Sequence, residues 1–395
     1  MKKQGRVKLM GAKKRILLCA TVDYHFSAFH LPYMKWFKEQ GWEVHVAAKG
    51  DMELPFVDQK YDLPIQRSPF SLQNMKAYQQ LKSIIDQNDY QIIHSHTPVG
   101  GVLARLASRA AREKGTKVLY TAHGFHFCKG SPTINWLIYY PIEKWLARHT
   151  DCLITINEED FNRAIHHQFK AGRIEHVHGV GVNTEKFRPA EKEYKKELRI
   201  AYGYNVGDFL MFYAAEFNKN KNQQLLIQAL AKIVDEVPKA KLLLAGEGPS
   251  LQECRKLAKN LGVENQVHFL GFRKDIEQLL QISDVAVGSS FREGLPVNIM
   301  EAMSCGLPVI ATTNRGHREL ITNQQEGWLI PESDQQMFAK KMKLLAKDSA
   351  QRAVMGSKGR RLIINKFSTN KILQEKSAIY TPYMAETEES QWAVL

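Results

Sequence analysis

Short apolar runs recur along this chain, with longer amphipathic stretches between them. In the first half the runs fall at 15–20, 43–48, 91–94, 117–122, 152–156 and 174–178. Helical patterns separate them at about 27–40, 72–87, 99–114, 132–148 and 157–168. Brief runs apolar on both faces read as buried strands, and their alternation with helices predicts a parallel sheet wrapped on both sides. A charged stretch from Pro189 to Glu197 interrupts the pattern, which restarts with strands near 209–215, 241–245, 266–270, 284–288, 307–311 and 327–330. A last helical stretch covers about 350–384. The predicted class is α/β, with two Rossmann-like doubly wound domains facing across a cleft and ligands at the carboxyl ends of the strands. The expected divisions are a flexible basic arm at 1–14, a first Rossmann-like domain at 15–188, a linker region at 189–207, a second Rossmann-like domain at 208–365, and a C-terminal helix and tail at 366–395 that return toward the first domain.

Composition narrows this picture. At 395 residues, 44% hydrophobic and 24% charged, the chain has the make-up of a globular protein with two domains. Its longest uncharged apolar stretch, 134–142, is too short to span a bilayer and contains Pro141. The run at 16–20 meets Asp23 and His25 and reads as a first strand, not a signal peptide. Five cysteines without a C-x-x-C pair argue for a reducing compartment, so a cytoplasmic location is expected. The net charge of +14 is uneven: residues 1–190 hold 27 Lys/Arg against 17 Asp/Glu. A basic half suits a phosphorylated substrate or peripheral contact with an anionic membrane. Nucleic acid is not expected as a partner, since zinc-finger spacing, RNP-type motifs and long basic helices are lacking.

The most informative segment is Ser290-Phe291-Arg292-Glu293-Gly294-Leu295-Pro296-Val297-Asn298-Ile299-Met300-Glu301. Lying between two predicted strands, it reads as a loop followed by a helix of about a dozen residues, with Pro296 in the first turn. Glu293 then sits in the loop and Glu301 one to two turns into the helix. A carboxylate accepts from both hydroxyls of a vicinal diol, and a helix start offers free N–H groups to an anion. Two such carboxylates flanking a helix start suit a ligand with phosphate in the middle and sugar at both ends. Without context, however, two solvated glutamates on a surface helix is the simpler account.

Context comes from residues that follow the other strands. His25, then His94 and His96, then His123 and His126 stand at the ends of three first-half strands, and twelve of the fourteen histidines precede residue 190. They suit a polar rim for sugar hydroxyls or proton transfer, or simple local hydrogen bonding. A metal reading would use His94/His96 and His123/His126, but no carboxylate stands at helical ligand spacing and H-E-x-x-H is absent, so no metal is expected. In the second half, Glu216 to Gln224 leads into a helix that Asn218 or Asn220 can cap, with Lys219 and Lys221 near its start. A departing diphosphate would be stabilised there. The chain contains no Asp-x-Asp for metal-assisted donor binding. Gly246-Glu247-Gly248 and Gly179-Val180-Gly181 are not G-x-G-x-x-G fingerprints, which weakens the alternative of an NAD-dependent oxidoreductase with tandem Rossmann domains. G-x-S-x-G is absent, against a serine hydrolase.

Glu293-Gly294-Leu295-Pro296…Glu301, preceded by Gly181-Val182-Asn183…Phe187-Arg188-Pro189, resembles the retaining glycosyltransferases of family 4, which have the GT-B fold. The likeness extends over nearly the whole chain. CATVDYHF at 19–26, HTPVGGVLAR at 96–105, YTAHGFHF at 120–127 and NRGHRE at 314–319 look like the EpsD-type branch of exopolysaccharide glycosyltransferases of Gram-positive biofilm formers. The resemblance implies that Glu293, Gly294, Leu295 and Pro296 hold the donor sugar, that Glu301 holds the ribose, and that Lys221 with Asn220 meets the diphosphate. It implies that Gly271, Phe272 and Arg273 form the base-binding loop, and that His123 contacts the donor sugar. Catalytic roles fall to His123, Lys221 and Glu293; His25, His94, His96 and His126 are acceptor-side candidates. Two positions depart from the family pattern: Glu216-Phe217 stands where Arg-Leu is usual, and Val22-Asp23 where a Gly-Gly pair is common.

The resulting expectation is a metal-independent transferase acting with retention, without a protein nucleophile or resident cofactor. It moves a sugar from a nucleotide donor, a UDP-sugar by preference, to a growing saccharide carried on a polyprenyl diphosphate. A nonhydrolysing sugar-nucleotide epimerase shares this fold and is the other alternative. The aromatic segment Trp136, Tyr139, Tyr140, Trp145 is either buried packing or a membrane-interface contact.

Overall fold

The computed structural model describes residues 13–322 and 324–392. Apart from Lys13 and Lys14, the basic arm expected at 1–14 lies outside the described residues. The chain divides into two compact units. One runs to Thr155, resumes over Phe161–His176 and takes in the C-terminal stretch from Lys376. The other comprises Ile156–Asp160 and Val177–Glu375.

The first unit is built on seven strands: β1 Arg15–Val22, β2 Glu43–Lys49, β3 Gln59–Asp62, β4 Ile92–His96, β5 Lys117–Ala122, β6 Cys152–Thr155 and β7 Arg173–His176. All pairings are parallel, in the order β3-β2-β1-β4-β5-β6-β7. β1, β4 and β5 are almost wholly buried, as the apolar runs Ile16–Leu18, Ile92–Ile93 and Val118–Leu119 require when helices cover both faces. β3, Gln-Lys-Tyr-Asp, had no apolar run to announce it; an edge strand is partly solvated and needs none. The register places Leu18 beside His94 and His96 beside Thr121, so the polar ends of β4 and β5 share one side of the sheet.

The helical stretch expected at 27–40 is two helices, Tyr24–Phe29 and Leu31–Glu39. They break at His30, with Pro32 in the first turn of the second. The stretch at 99–114 likewise divides at Ser108 into Pro98–Ala107 and Arg109–Glu113. These breaks turn the chain without an intervening loop, which periodicity alone does not register.

The second unit holds β8 Phe209–Ala214, β9 Ala240–Ala245, β10 Val267–Gly271, β11 Val285–Gly288, β12 Val309–Thr312 and β13 Gly327–Ile330, parallel in the order β10-β9-β8-β11-β12-β13. Its core gathers Met211, Leu226, Leu242, Leu244, Val285 and Phe338. Both sheets reverse strand order beside their first strand, at β1/β4 and at β8/β11, and crevices open at such reversals.

Residues 177–207, including the stretch expected to link the halves, belong to the second unit. Within them Lys192–Ala201 is a helix whose Arg199 pairs with Asp284 at 2.7 Å and donates to the carbonyls of Ile282, Val206 and Asp208. Gly181 has φ +86°, and a Cβ there would stand 2.7 Å from Thr369 Cα. That close approach accounts for a glycine which no dinucleotide fingerprint required. The last helix, Thr369–Trp392, contributes its part from Lys376 onward to the first unit.

Candidate functional site

In the second unit the loops after β8 and β11 meet. Phe291 N donates to Asn220 O at 2.8 Å, Asn220 Nδ2 to Arg292 O at 3.0 Å, and Ser289 Oγ to Lys221 O at 2.7 Å. These bonds bring Lys221 Nζ to 2.5 Å from Glu293 Oε1, with both side chains mostly buried. The helix expected near 222 begins at Gln223 and ends at Ala231, with Asn222 in the left-handed region at its start. Neither Asn218 nor Asn220 caps it: Asn218 Oδ1 accepts from Lys221 N, and Asn220 is committed to Arg292. Glu216 is exposed and accepts from Asn218 Nδ2 at 3.1 Å, so it leaves Lys221 to Glu293.

The helix after β11 is eight residues, Val297–Ser304, with Pro296 preceding it in extended conformation. The carbonyl of Ala214 accepts from Asn298 Nδ2 at 2.8 Å, tying this helix to the end of β8. Gly294 and Leu295 sit in the intervening turn, Leu295 being 8% exposed. Glu301 lies just over one turn into the helix, half-buried, and desolvation pushes its carboxyl up to about 7 against a smaller opposing pull from Lys186. Among the described residues no side chain hydrogen-bonds to it.

Gly271 ends β10 with φ +66°, and its carbonyl accepts from Gly246 N. Phe272 is 70% exposed, while Arg273 is drawn aside: its Nε donates to Asp275 at 2.8 Å and its guanidinium lies 5.9 Å from the Tyr202 ring centre. No hydrogen bond or ion pair among the described residues joins this loop to Lys221 or Glu293.

Two groups around Glu293 were not singled out by sequence. Arg315 Nε donates to the carbonyl of Glu293 at 3.1 Å, and its guanidinium pairs with the fully buried Asp160. Asn314 caps the helix Arg315–Leu320 through His317 N, and Gly316 packs so closely that a Cβ would meet Glu293 Cβ at 2.8 Å. The string Asn314-Arg315-Gly316-His317 was the available signal, but it carries no spacing that points to Glu293.

The first unit gathers its histidines at the ends of β1, β4 and β5. His25 Nε2 lies 3.2 Å from His30 Nε2, and His96 Nδ1 lies 3.3 Å from His123 Nε2. The His30 and His96 rings stand 4.1 Å apart, and those of His25 and His123 4.9 Å apart. Burial holds all four imidazoles below their ordinary pKa, His25 down to about 4, with added repulsion from Lys376 on His25, His30 and His123. His94 is fully buried, with Nδ1 2.6 Å from Tyr380 Oη and Nε2 2.8 Å from Thr121 Oγ1. It is therefore a core residue, not an acceptor-side group. His96, 1% exposed, is likewise no rim residue. His126 stands apart against Tyr139 at 4.8 Å, and with His123 lines a cavity of about 120 Å³. His30, overlooked in sequence, joins the group because the helix break turns its ring back toward His96.

The comparisons agree with this architecture. Residues 15–157 match the family model "Glycosyl transferase 4-like", and residues 194–362 match "Glycosyl transferases group 1". The chain is 53% identical over 371 residues to the "Putative glycosyltransferase EpsD" of Bacillus subtilis, covering 94% of this chain and 97% of that one. The chain belongs to the family 4 glycosyltransferases, with the GT-B fold. This glycosyltransferase is also 27% identical over 312 residues to the UDP-Gal:alpha-D-GlcNAc-diphosphoundecaprenol alpha-1,3-galactosyltransferase of Escherichia coli, covering 78% of this chain and 80% of that one. HepE of Anabaena, solved with UDP and glucose, superposes with a TM-score of 0.77 over 93% of this glycosyltransferase and 100% of HepE, at 21% identity, a likeness of fold. The oxidoreductase and epimerase alternatives give way to a transferase.

Proposed function

We propose that this enzyme transfers a sugar, with retention of anomeric configuration, from a UDP-sugar to a growing saccharide on a polyprenyl diphosphate, in exopolysaccharide or capsule biosynthesis. The observation that carries the reading is the Lys221–Glu293 pair at the ends of β8 and β11, 2.5 Å apart. In this reading the acceptor hydroxyl oxygen bonds to the anomeric carbon on the face that the diphosphate leaves. The departing phosphate oxygen takes the hydroxyl proton, so no protein nucleophile is needed. Lys221 stabilises the charge that develops on the diphosphate, without a metal there and without a resident cofactor. Glu293 and the turn Gly294-Leu295-Pro296 hold sugar hydroxyls, and Glu301 takes the ribose diol. Asn220 orders the lysine loop, and the exposed Phe272 ring, with Gly271 and Arg273, offers a face to the base. His123 keeps the role the resemblance implies, a hydrogen bond to a sugar hydroxyl; His25 and His126 remain the acceptor-side candidates.

Two similar proteins support the substrate classes: the Escherichia coli galactosyltransferase uses UDP-Gal and a diphosphoundecaprenol acceptor, and HepE binds UDP. No described helix is long and apolar enough to cross a membrane. We further propose cytoplasmic residence with peripheral contact at an anionic inner leaflet. Ile134, Leu137, Ile142 and Trp145 are exposed on the helix Thr133–Leu146, which supports this contact. The test is a panel of UDP-glucose, UDP-galactose, UDP-N-acetylglucosamine, UDP-N-acetylgalactosamine and GDP-mannose, scored by nucleotide release with a lipid-linked acceptor. Acceptor-dependent release from one UDP-sugar supports the proposal. Release from none of the UDP-sugars, or from GDP-mannose alone, overturns the donor assignment.

A further inference from the structure

Among the described residues of the first unit, one ring nitrogen from each of His25, His30, His96 and His123 lies within 4.8 Å of the others. We propose that these four histidines form a binding site for a borderline transition-metal dication, zinc by preference.

Two of the six nitrogen–nitrogen distances already suit such an ion. Zinc–imidazole bonds of about 2.0–2.1 Å in a tetrahedron place ligand nitrogens roughly 3.3 Å apart. The His25–His30 and His96–His123 nitrogen pairs already stand at 3.2 and 3.3 Å. The backbone that carries them is well anchored. His96 is the last residue of β4, His123 follows β5, and His25 and His30 lie in and just after the helix that follows β1. An all-nitrogen donor set selects zinc, copper, nickel or cobalt and refuses magnesium and calcium, which need oxygen ligands. His94 is outside the set because Tyr380 and Thr121 occupy both its nitrogens.

His30 and His96 are 3% and 1% exposed, whereas His25 and His123 are half-buried. The buried Lys376 ammonium, 4.2 Å from the Tyr33 ring centre, also repels charge at His25, His30 and His123. That repulsion opposes a dication and makes the site weaker than a structural zinc centre. A site of this kind is filled and emptied by the ambient metal concentration. If His123 contacts the donor sugar, as proposed above, a bound ion occupies the nitrogen that contact needs, and the loaded enzyme is slowed.

The experiment uses the full chain with a histidine-free affinity tag, stripped with EDTA and dialysed. Zinc chloride is titrated by calorimetry, and cobalt chloride is followed by visible absorption. The expected result is one equivalent of zinc and tetrahedral cobalt bands. Affinity should fall at least about tenfold in His96→Ala and in the half-buried His25→Ala, and remain unchanged in the exposed His166→Ala. Circular dichroism checks each fold; if His96→Ala unfolds, His25→Ala carries the test. No stoichiometric binding, or binding undiminished in the folded histidine variants, overturns the proposal. Turnover measured with and without zinc separates the two claims: binding without slowing leaves the metal site standing and removes His123 from the donor.

Discussion

Lys221 and Glu293 come from loops that follow different strands, yet their charged atoms stand 2.5 Å apart, held by the backbone bond from Phe291 to Asn220 and by the Asn220 side-chain amide on the Arg292 carbonyl. In the free enzyme the carboxylate therefore holds the lysine charge where the loops after β8 and β11 meet. A donor would engage both partners at once, the lysine through its diphosphate and the glutamate through its sugar.

Lys221→Ala should accordingly lower kcat far more than it raises the donor KM. Removing a preorganised charge from a leaving group costs about 2–4 kcal/mol of transition-state stabilisation, roughly thirtyfold to a thousandfold in rate. Steady-state kinetics with the preferred donor decide it, and near-normal turnover removes Lys221 from this role.

In its proposed role on the ribose, Glu301 should make donor binding depend on pH. Its carboxyl is pushed up to about 7 by burial, and only the ionised form accepts from both ribose hydroxyls. The donor KM should therefore fall as pH rises from 6 to 8, and Glu301→Gln should flatten that profile while raising KM. Stability runs the other way. A carboxyl whose folded value lies above its unfolded one makes the fold progressively less stable from about pH 4.5 to about 7. Glu301→Gln should thus melt higher than wild type at pH 8 and at nearly the same temperature at pH 4.

Gly316→Ala tests the support behind Glu293. The added Cβ would meet Glu293 Cβ at 2.8 Å and both Gly294 O and Pro296 Cδ at 3.0 Å, atoms that cannot swing aside. Overpacking of this kind costs about 1–3 kcal/mol. The expected signature is a raised donor KM in a protein whose circular dichroism is unchanged; an unaltered KM would mean that the loop absorbs the methyl group.

Tyr380→Phe tests what ties the C-terminal helix into the first unit. The variant leaves His94 Nδ1, fully buried, without its 2.6 Å partner. An unsatisfied buried group costs about 1–3 kcal/mol, so the melting temperature should drop by several degrees. No shift in a thermal scan would show that the hydroxyl contributes nothing net.

Chelation supplies a further check on the metal-free donor chemistry. Turnover should survive EDTA if, as proposed, Lys221 serves the diphosphate. Activity lost on chelation and regained only with Mn(II) would contradict that assignment.

Much of this was legible before the fold was known. Two parallel sheets followed from short apolar runs alternating with helices, and Lys221, Glu293 and Glu301 stood out in the loops and the helix that follow two of the strands. The histidines were harder to read. His94 looked like a rim residue, but β4 buries it against Tyr380, which lies 286 positions along the chain. His30 carried no motif, and only the break between two short helices turns it toward His96. Asp160, overlooked because its segment reads as the start of a first-half helix, belongs to the second unit and anchors Arg315.

The sequence by itself determined which residues end strands, because a parallel strand buried on both faces must be apolar and its polar successors stand out. It also determined the family, through strings of residues that local chemistry constrains tightly. Which of those polar residues meet one another was decided only by the tertiary structure. Strand order, sheet register and the break at His30 are properties of packing between distant segments, and they alone place Lys221 on Glu293 and converge four imidazoles.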